Sequence, residues 1–261
     1  MKKLDSLKTI PLFKALSEQD RRRIAGDLVE SHYSKDQYIF REGDPADYFY
    51  ILIKGSVKCV KSSPNGKAVT LKVLMPGDLF CCEAAVFDGA PHPGCAQPMG
   101  DVSVLRLSKK CYFDLLRRNP DAALEVIKYL GNRLNEAQEN AKALALDRAE
   151  QRIASLLINL ASKAGVKESD GLHLTVRLTR QDLADMAGIT PETAIRIMSR
   201  LKRAGLVSGT AKCIVIKDFL QLKMLASAET VSTEQPALMQ IAGSCSSSTS
   251  APSPMAAKSS Q

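Results

Sequence analysis

Nowhere does the sequence approach the roughly 18 to 20 consecutive apolar residues that a membrane-spanning helix needs. Its start, Met1-Lys2-Lys3-Leu4-Asp5, has no apolar signal-peptide run either, so the expectation is a cytoplasmic protein without a membrane partner. Histidine is scarce, at positions 32, 92 and 173 only, which leaves little material for a histidine-rich metal centre. The seven cysteines (Cys59, Cys81, Cys82, Cys95, Cys111, Cys213, Cys245) are odd in number and include no Cys-x-x-Cys pair, which argues against a disulfide framework and against zinc sites of that spacing. No Ser/His/Asp, metal or phosphate-loop constellation stands out, so nothing points to a catalytic domain.

What is present is the composition of a folded protein: 261 residues, 45% hydrophobic and 25% charged, enough apolar material for one large or two modest cores. The excess of 36 Lys+Arg over 28 Asp+Glu is uneven. Residues 177–226 carry 9 basic and 4 acidic groups, whereas the equal excess of residues 1–120 is spread over 19 basic and 14 acidic ones. A short segment so charged points to a polyanionic partner.

Glycines recur at Gly43, Gly55, Gly66, Gly77 and Gly89, and between or after them lie short β-branched and aromatic runs: Tyr48–Ile53, Val57–Val60, Val69–Leu74 and Val102–Leu107. Short strands at regular spacing with turn glycines read as an antiparallel barrel or β-roll, with a tight turn at Asn65-Gly66. A helix capped by Ser17 precedes it, through Leu28. After Pro120 the period changes. Ile127, Leu130, Leu134, Ala137, Ala141 and Leu144 follow at intervals of three and four, a seam narrower than a globular core face, which predicts pairing with an identical helix about a twofold axis. The same helix can also pack on its own β-roll by another face. A second helix (Arg148–Ala161), a loop (165–171) and a strand (His173–Leu178) follow. The Ser-rich segment 227–261, with eight serines between 244 and 260, reads as a disordered tail.

Residues 178–201 have the form of a helix-turn-helix. Thr179 can cap a first helix, Gly188 supplies the turn, and Thr190 can cap a second helix with Pro191 at its first position. Ala184 is small where the helices approach. Ala194, Ile197, Met198 and Leu201 then face inward and Glu192, Thr193, Arg196 and Arg200 outward. Spaced by four, Glu192, Arg196 and Arg200 lie along one stripe, which can enter a DNA major groove. Base reading falls to Glu192, Thr193 and Arg196, the arginine to guanine and the glutamate to cytosine. Thr190, Arg200, Lys202, Arg203 and Lys212 suit phosphates. The alternative is a solvated helix face stabilised by Glu–Arg pairs. Leu206–Ile216 reads as a hairpin turning near Gly209, a wing.

With these residues in view, the chain resembles the Crp/Fnr superfamily, bacterial transcription regulators related to the cyclic-AMP receptor protein. The marks are Leu12-Phe13 and Leu16, Arg41-Glu42-Gly43-Asp44, Tyr50–Val57, Pro76-Gly77-Asp78-Leu79-Phe80, the long helix and Leu178–Gly205. The resemblance implies an α+β architecture: a cyclic-nucleotide-binding-like sensor β-roll (10–118), a dimerisation helix (119–145) and a winged helix-turn-helix (146–220) that binds a palindromic operator as a homodimer, with RNA polymerase as a further partner. A β-roll regulating an enzyme or channel is the competing reading, and it has no use for outward Glu192 and Arg196.

The effector segment departs from the family pattern. Relatives that bind cyclic nucleotides follow the Gly-Asp turn with a Gly-Glu pair and then an Arg-Ser-Ala that holds the phosphate. Here the chain runs Gly77-Asp78-Leu79-Phe80-Cys81-Cys82-Glu83, and His92-Pro93-Gly94 stands where the arginine segment belongs. Histidine is mostly neutral at pH 7 and proline donates nothing, and Ala137 and Gln138 replace the hydroxyls expected against adenine, so cyclic AMP is disfavoured. The absence of cysteine before Cys59 disfavours an iron–sulfur sensor. Gly77, Asp78, Cys81, Cys82, Glu83, His92 and Cys95 remain the candidates for an unidentified small effector, if there is one, with haem or a thiol switch at Cys81, Cys82, His92 and Cys95 as the alternative to plain packing.

Overall fold

The computed structural model describes residues 7–8, 10–65, 68–210 and 213–227. Gly66 of the expected turn, Lys212 and the tail beyond Ser227 with Cys245 lie outside them, as do the side chains of Cys82 and Glu83.

The short helices α1 (Pro11–Lys14) and α2 (Glu18–Asp27) precede the strands, and Ser17 caps α2 by accepting the Asp20 N–H at 3.1 Å. The strands β1 (Val29–Tyr33), β2 (Tyr48–Lys54), β3 (Val57–Ser62), β4 (Ala68–Leu74), β5 (Leu79–Phe80), β6 (Cys95–Pro98) and β7 (Val102–Ser108) form two antiparallel sheets, in the orders β1-β7-β2-β5 and β4-β3-β6. A one-turn helix, α3 (Cys82–Ala85), separates β5 from β6, and α4 (Lys109–Arg118) follows β7. Strand β2 is apolar without alternation because both of its faces are covered. Phe49 stacks on Tyr112 of α4, and Tyr50, pointing to the other face, stacks on Phe80 inside the roll.

The long helix α5 (Pro120–Leu146) rests on this core only through its first turns, where Ala122 and Val126 are buried and the Tyr129 hydroxyl donates to the Leu79 carbonyl. Helix α6 (Ala149–Ala164) begins a second core, burying Ile153, Ala154, Leu157, Leu160 and Ala161 along one stripe. Helices α7 (Arg180–Ala187) and α8 (Pro191–Arg203) complete it with α9 (Phe219–Ser227) and a sheet of β8 (Gly165–Glu168), β9 (Gly171–Leu174), β10 (Val207–Thr210) and β11 (Cys213–Ile216) in the order β10-β11-β9-β8. Among the described residues no helix is long and apolar enough to cross a membrane.

Three local expectations are corrected here. The segment 165–171 is a hairpin, not a loop: β8 (Gly165–Glu168) pairs with β9 (Gly171–Leu174) from Gly165↔Leu174 to Glu168↔Gly171. A Cβ at Gly165 would sit 2.4 Å from the Ala161 carbonyl oxygen, so glycine lets the chain pass straight from helix into strand. The alternation read as a strand through Leu178 is a burial pattern: Leu174, Val176 and Leu178 are all buried, but the ladder ends at Leu174. In the wing, β10 (Val207–Thr210) pairs with β11 (Cys213–Ile216) as Thr210↔Cys213, so the reversal lies beyond Gly209. Gly209 is needed for close approach instead, since its Cβ would meet the Cys213 carbonyl.

The hairpin β8–β9 is tied to the residue after β11. Asp170 accepts from His173 Nε2 at 2.5 Å and from Lys217 Nζ at 3.0 Å, with Glu168 3.6 Å from the same imidazole. His173 and then Lys217 hold the Asp170 carboxyl at about 2, below its ordinary 3.8. A depressed carboxyl contributes stability that is complete above its unfolded value and is lost as pH falls through the folded one. Replacing Asp170 by Asn therefore lowers the urea midpoint at about pH 5, and the gap to the parent protein closes between about pH 4 and 2; a gap independent of pH would refute this.

Candidate nucleic-acid interface and sensor segment

The helix-turn-helix is built by local rules. Thr179 and Asp182 form a reciprocal capping box at the start of α7: the Thr179 hydroxyl oxygen accepts the Asp182 N–H at 3.0 Å and Asp182 Oδ2 accepts the Thr179 N–H at 2.8 Å. Gly188 ends the helix at φ +62, and a Cβ there would meet the Leu144 side chain at 2.7 Å. Thr190 then caps α8 by accepting the Thr193 N–H at 3.3 Å, with Pro191 at the first position. Ala184, Ala194, Ile197, Met198 and Leu201 are buried between the helices.

The opposite stripe of α8 presents Glu192, Arg196 and Arg200 to solvent, with Thr193 half-buried at its edge. Their surroundings differ. The Glu192 carboxylate is held below its ordinary value by its own backbone N–H and then by the Thr190 hydroxyl, so it is an ionised acceptor at the helix N-terminus. Arg196 is exposed and makes no side-chain hydrogen bond or ion pair among the described residues. Arg200 Nη1 lies 2.8 Å from Glu150 Oε2 of α6, so a phosphate would compete with that carboxylate. Lys202 donates to the Gly209 carbonyl in the wing, and Arg203 is exposed.

A residue without a motif of its own braces this unit. Arg152 of α6 donates from Nε to the Ala187 carbonyl and from Nη1 to the Asp147 carbonyl, both at 2.8 Å. It fastens the last residue of α7 to the bend between α5 and α6. Two arginine hydrogen bonds to main-chain carbonyls leave no trace in the spacing of side chains.

In the sensor segment the turn at Gly77 (φ +96) is closed by Asp78, whose Oδ2 accepts the Met75 N–H at 2.8 Å and whose carboxyl is pushed up by burial. Cys81 is the one non-glycine residue at positive φ, +70, among those described, a conformation that costs energy and is held by its surroundings. Its sulfur lies 3.2 Å from His92 Nδ1. His92 is 1% exposed and lies flat against Phe40, ring centroids 3.6 Å apart and planes at 6°. Main-chain bonds pin it on both sides, His92 N–H to the Asp44 carbonyl at 2.8 Å and Gly43 N–H to the His92 carbonyl at 3.0 Å. Cys95, half-buried, accepts the Glu42 N–H at 3.4 Å. The structure thus joins Cys81 and His92 and seats the imidazole inside an aromatic cluster of Phe40, Tyr50 and Phe80.

The seam on α5 lies off the face that packs on the roll. Ile127 is 63% exposed, Leu134 60% and Leu144 55%, Leu130 is exposed less, and Ala137 and Ala141 are open as well.

A cyclic nucleotide-binding domain model matches residues 30–119, and a Crp-like helix-turn-helix domain model matches residues 151–225. The chain is 30% identical over 186 residues to the cAMP-activated global transcriptional regulator CRP of Pasteurella multocida, covering 70% of this chain and 88% of that one. It is 26% identical over 207 residues to the CRP-like cAMP-activated global transcriptional regulator of Mycobacterium tuberculosis, covering 79% and 92%. Among solved structures, FixK2 from Bradyrhizobium japonicum superposes with a TM-score of 0.70 over 77% of this chain and 98% of that chain at 24% identity, a likeness of fold.

Proposed function

The chain belongs to the Crp family of transcription regulators, and from that premise we propose that it works as a cytoplasmic homodimer whose two α8 helices read a palindromic operator under control of the β-roll. The observation that carries the reading is the outward stripe of α8. Arg196 is exposed and, among the described residues, unpaired, one turn from an ionised Glu192, on a helix capped and packed by the rest of the domain. Arginine suits the paired acceptors of guanine and a carboxylate suits the amino group of cytosine. Thr193, half-buried at the edge of the stripe, is assigned to base reading with them. Thr190, Arg203 and Lys212 are assigned to phosphates, with Arg200 and Lys202 joining them by exchanging Glu150 and the Gly209 carbonyl for the DNA backbone. The apolar seam of α5 supports pairing of two copies, and RNA polymerase is the further partner that membership of the family suggests. The role is regulatory and needs no catalysis.

The effector reading follows from His92. An imidazole buried against Phe40, with its Nδ1 3.2 Å from the Cys81 sulfur, does not offer a cyclic phosphate the exposed, fixed cation of an arginine, which supports an effector other than cyclic AMP, with haem or a thiol switch at Cys81, Cys82, His92 and Cys95 as the chemical alternatives.

The test is selection of bound duplexes from random-sequence DNA with the full-length protein, with and without cyclic AMP. The expected result is an inverted repeat whose half-sites lie about one helical turn, roughly 34 Å, apart, recovered with unchanged affinity when cyclic AMP is present. An asymmetric site or no enrichment overturns the operator reading, and an affinity that rises with cyclic AMP overturns the effector reading.

A further inference from the structure

The sensor roll touches the DNA-binding half directly. Val73 and Met75, from β4 and the turn after it, are buried in the core that α6, α7 and α8 form rather than in the core of the roll. Beside them Lys58 of β3 reaches Asp182 of α7, Nζ to Oδ1 at 2.7 Å, with the lysine side chain 21% and the aspartate 8% exposed. Asp182 is already engaged through its other oxygen, which accepts the Thr179 N–H at 2.8 Å and the Thr179 hydroxyl at 2.7 Å. A lysine 124 residues away in sequence therefore completes the cap of the first helix of the helix-turn-helix. Without it, Oδ1 would be left desolvated and unpaired, which is the costly way to break such a pair.

The other edge of β3 belongs to the sensor segment. Lys58 is paired with Gln97 and Val60 with Cys95, and Gly94 presses so closely that a Cβ on it would lie 2.8 Å from the Val60 carbonyl oxygen. The segment His92–Cys95 and the helix α7 thus bear on one strand, two residues apart. We propose that Lys58 is a positioning residue for DNA binding: through Asp182 it fixes α7 against the roll, so that a shift of residues 92–95 along β3 moves α7 and, with it, the recognition helix α8. The path is direct and runs within one chain, beside any coupling through α5. It rests on the DNA-binding reading above.

The test uses the full-length protein on the duplexes it selects, comparing Lys58→Met, Lys58→Arg, Asp182→Asn and the Lys58→Met/Asp182→Asn pair. Lys58→Met is expected to weaken operator binding about tenfold, in the range of mutations that act on coupling without touching the ligand, and to relax the preferred half-site spacing, which a mere loss of folded protein does not change. Lys58→Arg restores both, and the double variant is no weaker than Lys58→Met alone. In the absence of DNA, hydrogen exchange of the α7 amides speeds up in Lys58→Met. Parental affinity and spacing in Lys58→Met overturn the proposal, as do losses that Arg fails to restore and that add in the double variant. Should the parent protein select no duplex, the DNA-binding reading falls, and the exchange of α7 still decides on Lys58: unchanged protection overturns its role in holding α7 as well.

Discussion

Replacing Arg196 by Ala removes operator selectivity at the base pair it reads while leaving the fold untouched. The side chain is exposed and holds nothing else in place among the described residues, so the unfolding transition of the variant coincides with that of the parent. A bidentate arginine–guanine pair is worth about 1 to 3 kcal/mol, and the proposed dimer makes it twice, so the loss is about 2 to 6 kcal/mol, or roughly thirtyfold to twenty-thousandfold in Kd. Binding to unrelated duplexes persists, because that component comes from counterion release by the remaining basic groups. The salt dependence separates base reading from phosphate binding. Arg196→Ala keeps nearly the parental slope of log K against log salt, whereas Arg203→Ala reduces the slope by about 1 for each phosphate no longer neutralised and weakens all duplexes alike. If Arg196→Ala bound the operator with parental affinity, α8 would be a solvated helix face and the groove-reading assignment would fall. Glu192→Ala serves as the internal comparison, since it is expected to relax preference at a different base pair from Arg196→Ala.

Much of the helix-turn-helix was legible because its determinants are local. Thr179, Gly188, Thr190 and Pro191 act within four residues of themselves, and the inward and outward faces of α8 follow from a period of 3.6. The roll was legible for the same reason: turn glycines and β-branched runs announce strands without knowledge of their partners. What escaped lies between residues far apart. His92 has no local signal for burial, since its stacking partner Phe40 is in a different turn of the roll. The hairpin at 165–174 was hidden because Glu168, Ser169 and Asp170 look like a solvated loop, and β9 is held in the sheet by β11 some 40 residues later. Lys58 reads as one more lysine on a strand, and Arg200 as a cation open to solvent, until Asp182 and Glu150 come into place. Charge counting located the DNA-binding half correctly, but it could not separate the basic groups already paired within the chain from Arg196.

The second large effect belongs to the helix that carries no DNA-reading residue. Substituting both Ile127 and Leu134 by Asp converts the proposed dimer into a monomer in sedimentation and reduces operator binding to that of a single half-site. Residues 127 and 134 are 63% and 60% exposed in one chain, so their loss removes nothing from the cores and the monomer still folds cooperatively, with a midpoint below the parent's that no longer depends on protein concentration. Across a twofold seam each position is buried twice, at about 1.5 to 3 kcal/mol for every large aliphatic side chain covered. The variant also forces like charges together at the same points, where a narrow seam has no room to hydrate them. Losing the second half-site forfeits the effective concentration that links the two recognition helices, about a hundredfold to ten-thousandfold in avidity. Ala122→Asp offers the contrast. That residue is fully buried against the roll, so its substitution destabilises the fold of the chain itself and lowers the midpoint even at protein concentrations where the parent is monomeric, an effect absent from the seam variant. A dimer that survives the Ile127→Asp/Leu134→Asp change would place the twofold interface elsewhere, and with it the separation of the two α8 helices that the operator must match.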